Sequence, residues 1–217
     1  MTRATTDPGR APASVDAPPG ADARLAGLTL MAGCVLAALG FVAISLAAPG
    51  SGDERYTDPL WQPLYGVLLA GSVLVVLGLP AVVAVHGHAF RRLTLVGYVG
   101  IFAPMVMLNV AETTIEAFVM PYLARHGGIP AETPAGLNAY EGVALLLLIV
   151  GVVCLSIAVF RARILPLWVG VALIASMVCA FLLHGGAIAF VSDYLILAAL
   201  FCFGLYAARP ATGTPAR

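Results

Sequence analysis

The sequence predicts an all-α membrane bundle of six transmembrane helices with both termini in the cytoplasm. Hydrophobic residues fill 61% of the 217 positions and charged residues 10%, whereas a soluble domain is about half apolar and about a quarter charged. Mean hydropathy is +0.98. Six apolar runs approach or exceed the roughly 20 residues that a helix needs to cross a bilayer. None alternates apolar and polar residues as a transmembrane strand does.

The elements follow in order. Residues 1–23 are rich in Ala, Pro, Thr and Asp and carry no apolar period, which predicts a disordered cytoplasmic tail. Spans are predicted at Leu25 to Ala48, Leu64 to Val85, Leu93 to Met120, Tyr140 to Phe160, Leu165 to Leu183 and Ile188 to Ala207. The transmembrane domain is therefore 24–208, and 209–217 form a second cytoplasmic tail. The first run is too long for a secretory signal, whose apolar core is about 7–15 residues, so it reads as a retained helix. The longest loop, 121–139, contains Pro121, Pro130 and Pro134 and shows no helix or strand pattern.

Arginine placement sets the orientation. Arg3, Arg10, Arg24, Arg91, Arg92, Arg161, Arg163, Arg209 and Arg217 fall on one side, and Arg55 and Arg125 on the other. The arginine-rich side should be cytoplasmic. Trp61 and Trp168 fall at opposite interfaces, as aromatic-belt residues do.

Composition also excludes functions. All eleven basic residues are arginine, so a Schiff-base lysine and a P-loop lysine are ruled out. Net charge is zero, so nothing points to nucleic acid. The expected partners are membrane lipids, with a protein partner or a second copy of the chain if the role is structural. Cys34, Cys154, Cys179 and Cys202 lie in apolar runs without metal-ligand spacing and read as small apolar side chains. His86, His88, His126 and His184 are not disposed as facing pairs, which argues against haem, and His86 and His88 read as solvated interface residues. No cofactor is expected. Gly33, Ala37, Gly66, Ala70, Gly97, Gly100, Gly142 and Gly151 read as helix-packing positions, and Pro80 and Pro104 as kinks.

Candidate chemistry lies with the ionisable residues inside the spans, which membranes tolerate mainly for function. Asn109, Glu112, Thr113 and Glu116 follow i, i+3, i+4, i+7 spacing and so share one helix face. At about 1.5 Å per residue, Glu112 lies about 28 Å into the third span and Asp193 about 8 Å into the sixth. His184 ends the fifth span and Glu141 opens the fourth on the same side, with Asn138-x-x-Glu141 resembling a capping box. Acids thus gather in the outer third, and the inner half has none. The candidate polar site is Glu112, Asp193, Asn109, Glu116 and His184.

The stretch Arg161-Ala162-Arg163-Ile164-Leu165-Pro166-Leu167-Trp168-Val169-Gly170 resembles the R-x-R-[IL]-[IL]-P-x-W-[LI]-[GS] opening of the fifth helix in a bacterial family of small multi-pass membrane proteins, catalogued as a domain of unknown function. Arg24-Leu25-Ala26-Gly27 is similar to that family's first-helix opening. The resemblance covers residues 24–208. It implies a six-helix fold and brings no activity or catalytic residues.

Three roles remain open. One is a structural or accessory membrane protein whose acids are helix–helix hydrogen-bonding groups. Another is a proton- or cation-coupled transporter using an outward-facing acidic cluster. The third is a membrane-embedded enzyme on a lipid-like or isoprenoid substrate, using a protonated carboxyl as general acid or one divalent metal on His184, Asp193 and Glu112. Convergence of the acids around a cavity would favour the last two.

Overall fold

The computed structural model describes residues 21–47, 53–86, 91–129, 134–182 and 190–209. Within them every regular element is helical. We number the helices α1 (Ala21–Ala47), α2 (Trp61–His86), α3 (Arg92–His126), α4 (Ala135–Ala162), α5 (Leu167–Leu182) and α6 (Phe190–Ala208). The first four and α6 are long and apolar enough to cross a membrane. The 16 residues of α5 rise about 24 Å, short of the full span predicted from Leu165 to Leu183. Leu183, which ends that run, and His184 lie outside the described residues, as do His88, residues 1–20 and 210–217.

Each helix packs on the next, and α6 returns to α1, so the six form a closed ring. Only 33–44% of each long span's apolar window is buried. Large side chains such as Leu46, Leu77, Leu146 and Leu25 are more than half exposed. An apolar shell of this extent suits lipid, not water. The core contains Phe203, Leu30, Leu155, Leu173 and Leu200, all fully buried.

Helix ends depart from the sequence expectation for local reasons. The first helix begins at Ala21, inside the predicted tail, with Asp22 in its first turn, where a negative charge suits the helix dipole. The loop predicted over 121–139 is mostly helix: α3 runs on to His126 and α4 starts at Ala135. Since Pro134 caps α4 and accepts from the Asn138 amide, Asn138 and Glu141 form no capping box. Arg163 ends α4 in the left-handed conformation (φ 51°), and the following Pro166 begins the turn into α5. This gives a physical reading of the R-x-R-x-x-P stretch as a helix stop and restart.

Both prolines expected to kink their helices coincide with a change in helix geometry. Helix α2 is interrupted at Leu79, just before Pro80. In α3, Pro104 is followed by a π-helical segment, Met105–Val110, and a second one, Ile115–Val119, precedes Pro121. These wide turns bracket Ala111–Thr114, which holds Glu112 and Thr113. Such turns are rare and occur often at functional sites.

Packing glycines sort into two groups. A Cβ on Gly27 would meet the Gly204 carbonyl oxygen at 2.6 Å, and one on Gly100 would meet the Gly151 Cα at 2.6 Å. Gly33 similarly faces the Val75 backbone, and Gly71 the backbone of Ala37. Gly66 and Gly142 have nothing within 4 Å, so the packing role expected of them is not observed. All four cysteines are free.

Candidate functional site

The ring of helices does not close fully at the end where Trp61 and Asp193 lie, which we call the acidic end. A cavity of about 250 Å³ opens there, lined by Phe41 and Ile44 from α1, Tyr65, Leu68 and Ser72 from α2, the α3 face, and Asp193 from α6. A second cavity of about 220 Å³ shares Leu108, Asn109, Glu112 and Asp193 with it and reaches α4 and α5 through Leu145, Leu148, Ser176 and Met177. Together they form a central chamber touched by all six helices.

The sequence-predicted face holds. Asn109, Glu112, Thr113 and Glu116 all line the chamber, and Asp193 faces them from α6. Glu112 lies within electrostatic reach of Glu141, Glu116 and Asp193. Asn109 donates from Nδ2 to the Met105 sulfur at 3.1 Å. Thr113 is buried. Tyr98 of α3 packs on Phe102 at 5.7 Å. The position of His184 lies outside the described residues.

Glu116 is half-buried. A short 3₁₀ turn, Asp53–Thr57, folds from the α1–α2 connection against the end of α3. It places Arg55 close enough to Glu116 to act on it electrostatically. The Glu116 Oε2 and the Arg55 Nε are both buried without hydrogen-bond partners. The Arg55 guanidinium donates to the Tyr56 hydroxyl at 2.6 Å and lies 4.7 Å from that ring's centre and 5.4 Å from Trp61's. Tyr56 meets Trp61 edge-on at 5.0 Å, and Trp61 stacks on Tyr65 at 4.4 Å. Burial pushes the Tyr56 hydroxyl pKa up and the Glu116 charge adds to it, while Arg55 opposes. Burial lowers the Arg55 pKa, but the Tyr56 hydroxyl and nearby Glu116 outweigh it, and the net shift is upward.

Trp61 therefore is not a belt residue. It is 3% exposed, and its indole N–H donates to the Glu116 backbone carbonyl at 2.9 Å. The overlying turn removes it from the interface. Trp168, at 50% exposure, stays on the surface as expected. His86 also departs from the solvated reading. It is 2% exposed, its Nδ1 lies 3.1 Å from the Val82 carbonyl, and its ring packs 5.7 Å from Phe203, because α6 covers the end of α2.

Arg55, Tyr56, Trp61 and Tyr65 are the site residues that sequence reasoning missed. Two signals pointed to them: the i, i+4 spacing of Trp61 and Tyr65, and an arginine in a loop otherwise acidic.

Outside the chamber, a crevice of about 490 Å³ separates α3 from α4 at the same end. Glu112 lines it as well, and Glu141 faces Glu112 across it. Among the described residues, no three His, Cys, Asp or Glu side chains form a group able to hold a metal ion. No family profile matches this chain, and neither does a curated protein or a solved structure.

Proposed function

We propose that this is a six-span plasma-membrane protein, both termini cytoplasmic, that binds protons or small cations in the central chamber as a coupled transporter does. The observation that carries the reading is the gathering of Asn109, Glu112, Glu116 and Asp193, from two helices far apart in sequence, around one cavity. Carboxylates that served only as helix–helix glue would each sit against a fixed donor. Glu116 sits beside Tyr56 and Arg55 but keeps its buried Oε2 without a partner. Closure of the opposite end by backbone-to-backbone glycine packing fits an outward-open state. The six-span count draws on the fifth apolar run, the nine-to-two arginine bias and the resemblance of the fifth-helix opening to a six-helix family. The metal-assisted enzyme reading gains no support from the ligand groups described above.

The test is thermal unfolding in lipid nanodiscs, scanned over pH and over sodium and calcium, alongside cation-driven flux in proteoliposomes. We expect a midpoint shift of several degrees in the wild type that Glu112→Gln and Asp193→Asn both lose, with flux abolished. Identical responses in wild type and both variants would return the protein to the accessory role and direct the search to protein partners or a homo-oligomer.

A further inference from the structure

The α3–α4 pair carries a site of its own. The two helices touch backbone to backbone where Gly100 meets Gly151 and where Gly97 meets Leu155. Beyond Met105 they separate, and the π-helical turns of α3 lie along the gap. The Tyr140 hydroxyl reaches across it to donate to the Met107 carbonyl at 3.0 Å. The resulting crevice is walled by Met107, Ala111, Ile115, Met120 and Leu137. Ile115, Tyr140, Gly136, Glu112 and Glu141 along it are exposed, so it opens on the outer face of the bundle. Its charged lining residues among those described are Glu112, Glu116 and Glu141, and none of the described lining residues is basic.

We infer that this crevice binds a lipophilic amine, an apolar body carrying one ammonium group, which enters sideways from the membrane and places its cation between Glu112 and Glu141. The apolar walls match the body, and the two carboxylates match the charge. A volume of about 490 Å³ is in the range of small-ligand pockets, about 300–1,000 Å³. An uncharged lipid tail would leave both acids without a counter-ion, and an inorganic cation would leave the walls unused. Because Glu112 also lines the chamber, the crevice is a lateral portal to it. The inference deepens the cation-handling reading by naming a substrate class.

The experiment uses full-length protein in nanodiscs, with 1-adamantylamine as the probe and neutral 1-adamantanol as its control, read by calorimetry and thermal shift. We expect the amine to bind and the alcohol to bind at least tenfold more weakly. Glu141→Gln should weaken the amine at least tenfold, and Ala111→Trp, which fills the crevice, should abolish binding. Asp193→Asn, in the chamber only, should leave the amine affinity within twofold. Two variants of different kind guard against one failing to fold, and retained unfolding cooperativity checks each. Equal binding of amine and alcohol, or loss only in Asp193→Asn, would overturn the crevice site. No amine binding together with an intact Glu112-dependent response to protons or sodium would overturn it while the chamber reading stands. Amine binding in the crevice without that response would leave the crevice and remove the chamber reading.

Discussion

Helices α1 and α2 form one hairpin, and α3 and α4 another, and they pack by different rules. In the first, Leu30 meets Gly78, Gly33 meets Val75, Gly71 meets Ala37 and Gly40 meets Leu68. The residue numbers of each pair sum to 108, so a single antiparallel register runs through all four contacts, about 15 Å along the axis. In the second, Gly97 and Gly100 make the same kind of approach to Leu155 and Gly151, and then the register is lost. The helix α3 passes into its π-helical turns, and Gly142 of α4 faces open space. Small residues bring helices together only where both surfaces present them in phase. A wide turn adds residues to one side, breaks the phase, and leaves room for a cavity. The chamber and crevice exist because the second hairpin is zipped at one end only.

The largest expected effect tests this contrast directly. Gly100→Leu should destabilise the bundle by about 3 kcal/mol, because its side chain must enter the Gly151 backbone. Gly142→Leu should change stability by less than about 0.5 kcal/mol. Unfolding midpoints in matched detergent check the pair, and equal losses would erase the distinction between the hairpin's ends. Next, Trp61→Phe keeps an aromatic ring but removes the donor to the Glu116 carbonyl and part of the buried indole, with an expected cost of about 2 kcal/mol. The same measurement should show no loss if the turn over α3 needs neither that bond nor the indole. Tyr140→Phe cuts the tie across the crevice and should cost about 0.6 kcal/mol, the mean for hydrogen bonds between membrane helices. Faster amide exchange at the start of α4 would mark the loosening.

The smallest effect is titration of Tyr56. Its folded pKa is raised by burial above the unfolded value of about 10. For an acid shifted this way, the stabilising contribution is complete below pH 10 and fades as pH rises through the folded value. The ultraviolet difference spectrum, wild type minus Tyr56→Phe, should therefore show phenolate forming only above pH 10. Ionisation at or below pH 10 would mean that the turn does not hold the phenol buried against Trp61.

Legibility differed along the chain for physical reasons. The helical face of Asn109, Glu112, Thr113 and Glu116 was readable because its central residues, Ala111–Thr114, keep α geometry between the wide turns. The distance between Glu112 and Asp193 in sequence hid nothing, since both lie at the same depth in antiparallel spans. Trp61 and His86 were misjudged because their burial comes from other segments, the 3₁₀ turn and α6. Arg55 looked like a loop charge because nothing near it in sequence foretells the aromatic surfaces it meets. Gly66 and Gly142 read as packing positions in the sequence, because a glycine's spacing does not reveal whether a partner surface lies opposite.

The sequence by itself determined the class of the molecule: helices with apolar length and an apolar outer shell, prolines at the interruptions, and the acids of the spans gathered toward one end. These follow from local composition, because hydrocarbon forces each backbone to satisfy its own hydrogen bonds. Only the tertiary structure decided which polar groups share a cavity, which turn meets Glu116, and where two helices part. Those depend on the phase between surfaces of different helices, a relation that no single span contains.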